Sequence, residues 1–207
     1  MLNQQGFDSW AGEYDKTVRE IDKKNQYPFA GYQKIVTAIY KRAVHPPQSR
    51  ILDIGFGTGL LAGRLYEEGH DLTGVDFSNE MISIAKSKMP KAQLYEWDIT
   101  NGLPPAVMNQ SFDTIISTYA LHHLTDAGKV SLIKQLLPLV KPGGQILIGD
   151  VAFQTHQELD QCRRNYIEVW DENEYYFVYE ELAASLAEHC SCEFTPISHC
   201  GGVIELK

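Results

Sequence analysis

Three glycines at alternate positions, Gly55, Gly57 and Gly59, follow a short apolar run that carries the acid Asp53. Glycine tolerates positive φ and has no Cβ, so a ligand can approach the main chain closely. A helix that begins after such a loop presents free amide groups in its first turn. Since open α/β sheets bind ligands at the carboxyl ends of their strands, this spacing predicts a ligand-binding loop.

Further polar residues close the apolar runs that come next. Asp76 ends one run and Asp98 follows another, while Ser117 and Thr118 end a third. A carboxylate about 20 residues after a glycine loop can accept hydrogen bonds from two ribose hydroxyls. One acid at a strand end is commonly just a surface cap. Two acids in register with the glycine loop favour a nucleoside site.

Two adjacent histidines, His122 and His123, lie just beyond the Ser117–Ala120 stretch. Imidazole titrates near neutral pH, so either ring could accept a proton from a reacting group without a large pKa shift. We therefore predict both as candidate catalytic residues. The simpler interpretation is that each only makes a structural hydrogen bond.

The glycine pattern differs from the dinucleotide fingerprint. That fingerprint is G-x-G-x-x-G, and its helix N-terminus holds a pyrophosphate. Here the order is G-x-G-x-G with Asp53 before it, and the chain has no Tyr-x-x-x-Lys pair. An acidic loop with close main chain suits a cationic ligand without phosphate better than it suits a dinucleotide.

The elements around these residues alternate between short apolar runs and helix-length segments, which predicts a parallel sheet covered on both faces. The apolar runs are 51–54, 72–75, 92–95, 114–117 and 145–148. We predict an α/β fold of the Rossmann-like kind. Helices are expected to begin after Ser78 and after Thr125-Asp126, and the latter to continue through Val140 until Pro142-Gly143-Gly144.

Both ends of the chain depart from this rhythm. Residues Phe7, Trp10, Tyr14, Val18 and Ile21 recur at helical spacing, and a second helix should run from about 28 to 44. Residues 152–176 are aromatic and charged, which predicts a helical or irregular insertion. A helix near 180–189 follows, and strands at 192–198 and 203–206 should form a hairpin around Gly201-Gly202.

Five segments together resemble the motifs of class I S-adenosylmethionine (SAM)-dependent methyltransferases, small-molecule type. They are ILDIGFGTG, LTGVDFS, AQLYEWDIT, FDTIISTYALHHL and LVKPGGQILIGD. The segment FDSWAGEYDKT resembles the entry segment of methyltransferases related to the quinone-biosynthesis enzymes. The likeness covers roughly residues 7–150 and extends to a group of bacterial proteins described only as methyltransferases. It implies a seven-stranded, mostly parallel sheet whose last strand is antiparallel.

The resemblance implies a role for most of the polar strand ends. Gly55, Gly57 and Gly59 would pass under the methionine and ribose portions of SAM. Asp53 is predicted as part of the same cofactor site from the acidic character of the loop itself. Asp76 would bind the ribose hydroxyls.

The resemblance also implies the remainder of the cofactor site. Phe77 and Ile99 would sandwich the adenine, and Asp98 would accept a hydrogen bond from its amino group. Ser117 and Thr118 would lie near the methionyl end. Phe56 is larger than the residue usual in this loop, which leaves its direction open.

Tyr14 would close over the cofactor by the same resemblance, although its place on the helical stripe explains it equally well by packing. We expect one methyltransferase domain across residues 1–207: an N-terminal helical lid (1–45), a SAM-binding core (50–151), and an acceptor-side insertion with the C-terminal hairpin (152–207). The lid and residues 152–176 are hypothesised to enclose a small acceptor. The insertion offers four aromatic candidates for its pocket: Tyr166, Trp170, Tyr175 and Tyr176.

The composition limits the kinds of binding partner that are expected. Lys and Arg number 18 and Asp and Glu number 27, for a formal net charge of −9. A field of this sign repels phosphate backbones, so no nucleic-acid partner is expected. No apolar run reaches the roughly 20 residues of a membrane span, and the start of the chain lacks a secretory signal pattern. We expect a soluble, cytoplasmic protein without membrane contact; its oligomeric state is open, and a homodimer is compatible with it.

The cysteines give no reason to predict a metal site. Cys190, Cys192 and Cys200 lie close together, but they form C-x-C and a gap rather than paired C-x-x-C motifs, with only His199 nearby. Reduced thiols in a cytoplasmic protein are the favoured interpretation, and metal binding by these cysteines is the alternative.

The predicted reaction is methyl transfer from SAM to a small-molecule acceptor by in-line displacement, in which positioning and exclusion of water can supply much of the catalysis. Neither the acceptor nor the need for a base follows from the sequence. Two alternatives remain: a SAM-binding regulatory protein without transferase activity, and an NAD-dependent oxidoreductase.

Overall fold

The computed structural model describes residues 15–207, and its centre is a mixed sheet. The strands are β1 (Arg50–Ile54), β2 (Asp71–Asp76), β3 (Gln93–Glu96), β4 (Phe112–Thr118), β5 (Val140–Phe153), β6 (Phe177–Val178), β7 (Cys192–Pro196) and β8 (Gly201–Leu206). Their order is β3-β2-β1-β4-β5-β8-β7, and the two-residue β6 pairs with the end of β5. The first five strands are parallel, and β8 is antiparallel to both neighbours. This confirms the predicted α/β class and the antiparallel last strand.

Helices connect the strands, and side-chain caps start three of them. The chain is helical at 15–23 and then in α1 (Tyr32–Ala43), α2 (Leu60–Glu67), α3 (Asn79–Lys88), α4 (Pro105–Met108), α5 (Asp126–Leu136), α6 (His156–Asn165) and α7 (Tyr179–Leu186). Ser78, Thr125 and Thr155 accept hydrogen bonds from the amides of the first turns of α3, α5 and α6. Such caps satisfy amides that have no partner inside the helix.

The core lies on both faces of the sheet, because neighbouring strand residues point to opposite sides. Ile51 packs into a cluster with α1, α2 and α3, whereas Leu52 packs into a second cluster with α4, α5 and α7. The α1 helix approaches β5 at Gly149, where a Cβ would lie 2.5 Å from Ile35 Cγ2. Strands covered on both sides explain why the apolar runs were nearly continuous.

The sequence prediction for the end of α5 was wrong. The helix stops at Leu136 and passes into a three-residue 3₁₀ turn, Leu137–Leu139. Pro138 accounts for this, since it lacks the amide that a longer α-helix needs. Val140 therefore starts β5 instead of lying on the helix, and Pro142-Gly143-Gly144 falls inside that strand, where its register with β4 shifts.

The C-terminal hairpin is confirmed, but its glycines lie in β8 and not in the turn, which is formed by residues 197–200. At Gly202 a Cβ would lie 2.6 Å from the Phe194 ring, so a close cross-strand approach accounts for this glycine. The insertion consists of α6 followed by irregular chain up to β6. Within residues 15–207, every helix is too short or too polar to cross a membrane.

Candidate functional site

The three loop glycines have positive φ angles of 72°, 54° and 75°, but they serve different contacts. At Gly55 a Cβ would lie 2.3 Å from Ala120 Cβ, which holds the loop against the β4 end. At Gly57 the same position is open. Gly59 is the N-cap of α2, and its Cβ position lies 3.0 Å from Met89 Cε. Gly55 and Gly57 line a cavity, whereas Gly59 supports the loop from behind.

Asp76 joins the glycine loop to the end of β2. Its Oδ2 accepts a hydrogen bond of 2.8 Å from the Gly57 amide, and its Oδ1 accepts one of 2.9 Å from the Ser78 amide. The side chain is buried at the edge of the cavity. These two amide hydrogen bonds fix the direction of the carboxylate at the cavity edge.

The cavity measures about 630 Å³ and lies over the carboxyl ends of β1, β2, β3 and β4. One wall holds the predicted Phe77, Asp98 and Ile99. Asp98 caps a short turn, where its Oδ1 accepts from the Thr100 amide and hydroxyl, so its orientation is set by its own loop. The arrangement gives a slot with an aromatic ring, an aliphatic side chain and a carboxylate.

Trp97 lies on the same wall and was missed by the sequence reasoning. Its Nε1 donates a hydrogen bond of 3.0 Å to the Gly102 carbonyl, and its amide donates one of 2.8 Å to the Asp76 carbonyl. Its position directly before Asp98 was the available signal.

The direction of Phe56 is settled by Gly74 on β2. A Cβ at Gly74 would lie 2.5 Å from Phe56 Cδ1 and 2.9 Å from Leu94 Cδ2. The ring therefore covers a strand position that only glycine leaves free, and it lines the cavity as well. A large residue fits into this loop because the neighbouring strand is small there.

Asp53 and Ser117 are buried beneath the cavity and do not line it, whereas Thr118 does. Ser117 Oγ donates a hydrogen bond of 2.8 Å to the Ile54 carbonyl. Burial, together with the nearby Asp76 charge, raises the pKa of Asp53 to about 8. Within residues 15–207, Asp53 Oδ1 has no hydrogen-bond partner. Asp53 is thus a protonated carboxyl group under the loop at neutral pH.

The cavity is also lined by Asp15, Tyr32 and Tyr119, none of which the sequence reasoning had selected. Asp15 accepts a hydrogen bond of 3.0 Å from Thr58 Oγ1, so the 15–23 helix is tied to the glycine loop. The Tyr32 and Tyr119 ring centroids lie 5.0 Å apart. Burial, with Asp15 and Asp53 nearby, raises the pKa of Tyr32. The predicted Tyr14 lies outside the described residues.

The two histidines occupy different positions. His123 lines the cavity, and burial together with the His122 ring lowers its pKa to about 3. His122 is buried behind it, with Nδ1 2.6 Å from Asp150 Oδ1 and Nε2 3.7 Å from Glu174 Oε1. Burial disfavours protonation of His122, but the two carboxylates outweigh it and raise its pKa.

The aromatic residues of the insertion pack on one another and on Tyr27. Tyr27 stacks on Tyr166 and on Trp170, with centroids 5.4 and 5.0 Å away, and its hydroxyl bonds that of Tyr176. None of these rings is among the residues that line the cavity.

Comparison of the sequence with known proteins identifies the family that it resembles. Residues 51–144 match the family described as methyltransferase domain. An uncharacterised methyltransferase of Geobacillus kaustophilus is 33% identical over 88% of this chain and 86% of its own. Another from Bacillus mycoides is 38% identical over 75% and 70% of the two chains.

Solved structures agree on the fold. The DhpI–SAH complex has a TM-score of 0.71 at 18% identity, covering 99% of this chain and 94% of that one. The magnesium protoporphyrin IX methyltransferase of Synechocystis PCC 6803 with bound SAH has a TM-score of 0.70 at 19% identity, covering 96% of each chain. With relatives this similar over most of its length, the chain belongs to the class I SAM-dependent methyltransferases.

Proposed function

We propose that this protein transfers a methyl group from SAM to a small-molecule acceptor held in the same cavity. The observation that carries the proposal is the Asp76 carboxylate, fixed by the Gly57 and Ser78 amides where the glycine loop meets the cavity. A carboxylate held in this way beside open main chain suits the two hydroxyls of a ribose.

The remaining lining residues support a definite placement of the cofactor. The adenine lies between Phe77 and Ile99 and donates its amino hydrogen to Asp98, while the methionyl part extends over Gly55 and Gly57 towards Thr118. Gly59 and Ser117 act from behind, since they hold the loop and a strand end in place, and Asp53 lies protonated beneath the loop. Tyr14 closing over the cofactor is part of the same proposal.

The acceptor is proposed to be small because of the size and lining of the cavity. Its volume of about 630 Å³ lies within the range of roughly 300–1,000 Å³ typical of small-molecule sites. Much of that space is needed for the nucleoside. Tyr32, Tyr119 and His123 are among the lining side chains that remain to contact the acceptor.

The proposed reaction is an in-line displacement. The acceptor lone pair forms a bond to the methyl carbon as the carbon–sulfur bond breaks, and S-adenosylhomocysteine (SAH) leaves. Any proton on the acceptor atom passes to a nearby base. Of the two predicted histidines, His123 can touch the acceptor, but its low pKa makes it a weak base better suited to orienting the acceptor. His122 positions the His123 ring, whose centroid lies 4.2 Å away.

Calorimetry with SAH tests the cofactor site. We expect Asp76→Ala to weaken SAH affinity by more than about 100-fold, since two charge-assisted hydrogen bonds are worth about 3 kcal/mol or more. Asp71→Ala is the matched control, because Asp71 is an exposed acid at the other end of the same strand. Equal affinity of the Asp76→Ala variant and the unaltered protein would contradict the placement, as would binding of NADH in preference to SAH.

Methyl transfer itself needs a second measurement. Purified protein is incubated with SAM and a panel of metabolites that carry oxygen, nitrogen, sulfur or carbon nucleophiles, and SAH release is followed. We expect turnover with at least one acceptor. Tight SAH binding without turnover on any class would favour the SAM-binding protein without transferase activity.

A further inference from the structure

Three potential metal ligands converge beside the acceptor end of the cavity. His122 and His123 come from the turn after β4, and Glu174 comes from the chain before β6. One ligand atom from each lies within 4.8 Å of the others. His122 is buried and the other two are half-buried, so this is an enclosed group and not a set of surface charges.

A second layer of residues orients the group. The hydrogen bond of 2.6 Å to the buried Asp150 assigns the proton of neutral His122 to Nδ1. The lone pair on Nε2 then points towards Glu174 Oε1, 3.7 Å away. At this distance the two atoms attract each other only through a proton on Nε2 or through a metal ion between them.

Glu174 is oriented in the same manner. Its Oε2 accepts a hydrogen bond of 2.7 Å from the Tyr176 hydroxyl, which leaves Oε1 directed to the histidines. In metal sites, ligating histidines commonly donate their second N–H to a carboxylate, and ligating carboxylates are themselves hydrogen-bonded. Asp150 and Tyr176 supply these two contacts here.

We propose that His122, His123 and Glu174 bind one divalent transition-metal ion of the zinc class. Two imidazole nitrogens and one carboxylate oxygen form a ligand set that leaves a coordination position open. Because His123 also lines the cavity, water or a donor atom of the acceptor takes that position. The acceptor is then a molecule with an oxygen, nitrogen or sulfur donor, a part of the inference that rests on the proposed function.

Metal titration of the purified full chain, after chelator treatment and dialysis, tests the site. We expect calorimetry to show one Zn²⁺ per chain, and Co²⁺ to give visible absorption bands of a low-symmetry site. Glu174→Gln and His123→Ala should each weaken Zn²⁺ affinity at least about 10-fold. His156→Ala is the control, because His156 and Glu181 form an exposed pair at 3.0 Å that lacks a second imidazole.

The outcomes distinguish a failure of the metal-site proposal from a failure of the proposed cofactor site. SAH affinity should be unchanged in Glu174→Gln and His156→Ala, whether or not zinc binds. Folded protein that binds neither Zn²⁺ nor Co²⁺ overturns the proposal and leaves a protonated His122 as the cation between the two carboxylates. A second result would also overturn the proposal. If zinc binding survives in Glu174→Gln and in His123→Ala but is lost in a Cys190→Ser/Cys192→Ser variant, the ion is bound by the free thiols.

Discussion

The two sides of the cavity are built in different ways. The cofactor side uses the ends of four neighbouring strands, β3, β2, β1 and β4, and the glycine loop after β1. The acceptor side uses side chains far apart in the sequence, from Asp15 and Tyr32 to Tyr119 and His123, backed by residues 150 and 174–176. Sheet topology determines which residues meet on the cofactor side. On the acceptor side, the neighbours depend on which side chains long-range packing brings together.

This difference affects how each side tolerates substitution. On the cofactor side, backbone conformation and close approach determine what fits, as at Gly55 and Gly74. On the acceptor side, hydrogen bonds between side chains determine the geometry, as between Glu174 and Tyr176. Changes at these close-packed glycines should therefore cost fold stability, while changes on the acceptor side should be milder and separable from cofactor binding.

The largest contrast is expected within the glycine loop. Gly55→Ala combines a positive φ with an overlap at Ala120, so we expect it to lower the free energy of unfolding by about 2–5 kcal/mol. Gly57→Ala has a similar φ but open space, and should cost about 1–2 kcal/mol. Chemical denaturation of both variants measures the difference. Equal losses would mean that backbone conformation alone, and not close approach, selects these glycines.

Much of the cofactor side was predictable because short segments determine it. A parallel strand that ends in glycines and a next strand that ends in Asp76 must meet at one edge of the sheet. The same rule gives Asp98, whereas Phe77 and Ile99 were predicted only from the family resemblance. The rule places strand ends but not side-chain directions, so it did not distinguish Thr118, on the cavity wall, from Ser117, which bonds Ile54 beneath it.

Most of the acceptor side could not be predicted, because no local pattern links its members. Asp150 was visible only as the end of a strand, and Glu174 only as one charge in an irregular insertion. Asp150 reaches His122 through the pairing of β5 with β4. Glu174 reaches it through the Tyr175 amide, which donates a hydrogen bond of 2.8 Å to the His122 carbonyl, and through the two-residue pairing of β6 with β5, which has no sequence signature. The early end of α5, before Pro138, could have been predicted from that proline alone.

The next prediction concerns Asp53, the buried acid under the cofactor side. In the folded protein the pKa of Asp53 is about 8, above its ordinary value of 3.8. Between these two values the unfolded chain ionises at Asp53 while the folded protein stays protonated. The contribution of Asp53 to stability is therefore full below about pH 4 and is lost as the pH rises through about 8. Asp53→Asn removes this loss. The variant should gain stability relative to the unaltered protein as the pH rises from 4 to 8, by at most about 1.4 kcal/mol per pH unit.

Denaturation curves at several pH values between 4 and 9 measure this gain, with Asp71→Asn as the exposed control. Parallel pH profiles for Asp53→Asn and the unaltered protein would show that Asp53 is ionised in the folded state. The cofactor side would then carry two buried charges, at Asp53 and Asp76.

The smallest expected effect belongs to the acceptor side and tests whether the two sides are separable. Tyr176→Phe removes a buried hydroxyl that bonds Glu174 and Tyr27, which should cost about 1 kcal/mol of folding free energy. Because Tyr176 does not line the cavity, SAH affinity by calorimetry should stay within about twofold, as it should for the exposed control Tyr175→Phe. A tenfold loss of SAH affinity in Tyr176→Phe alone would mean that the hydrogen bonds around Glu174 also hold the glycine loop, and the two sides would then act as one unit.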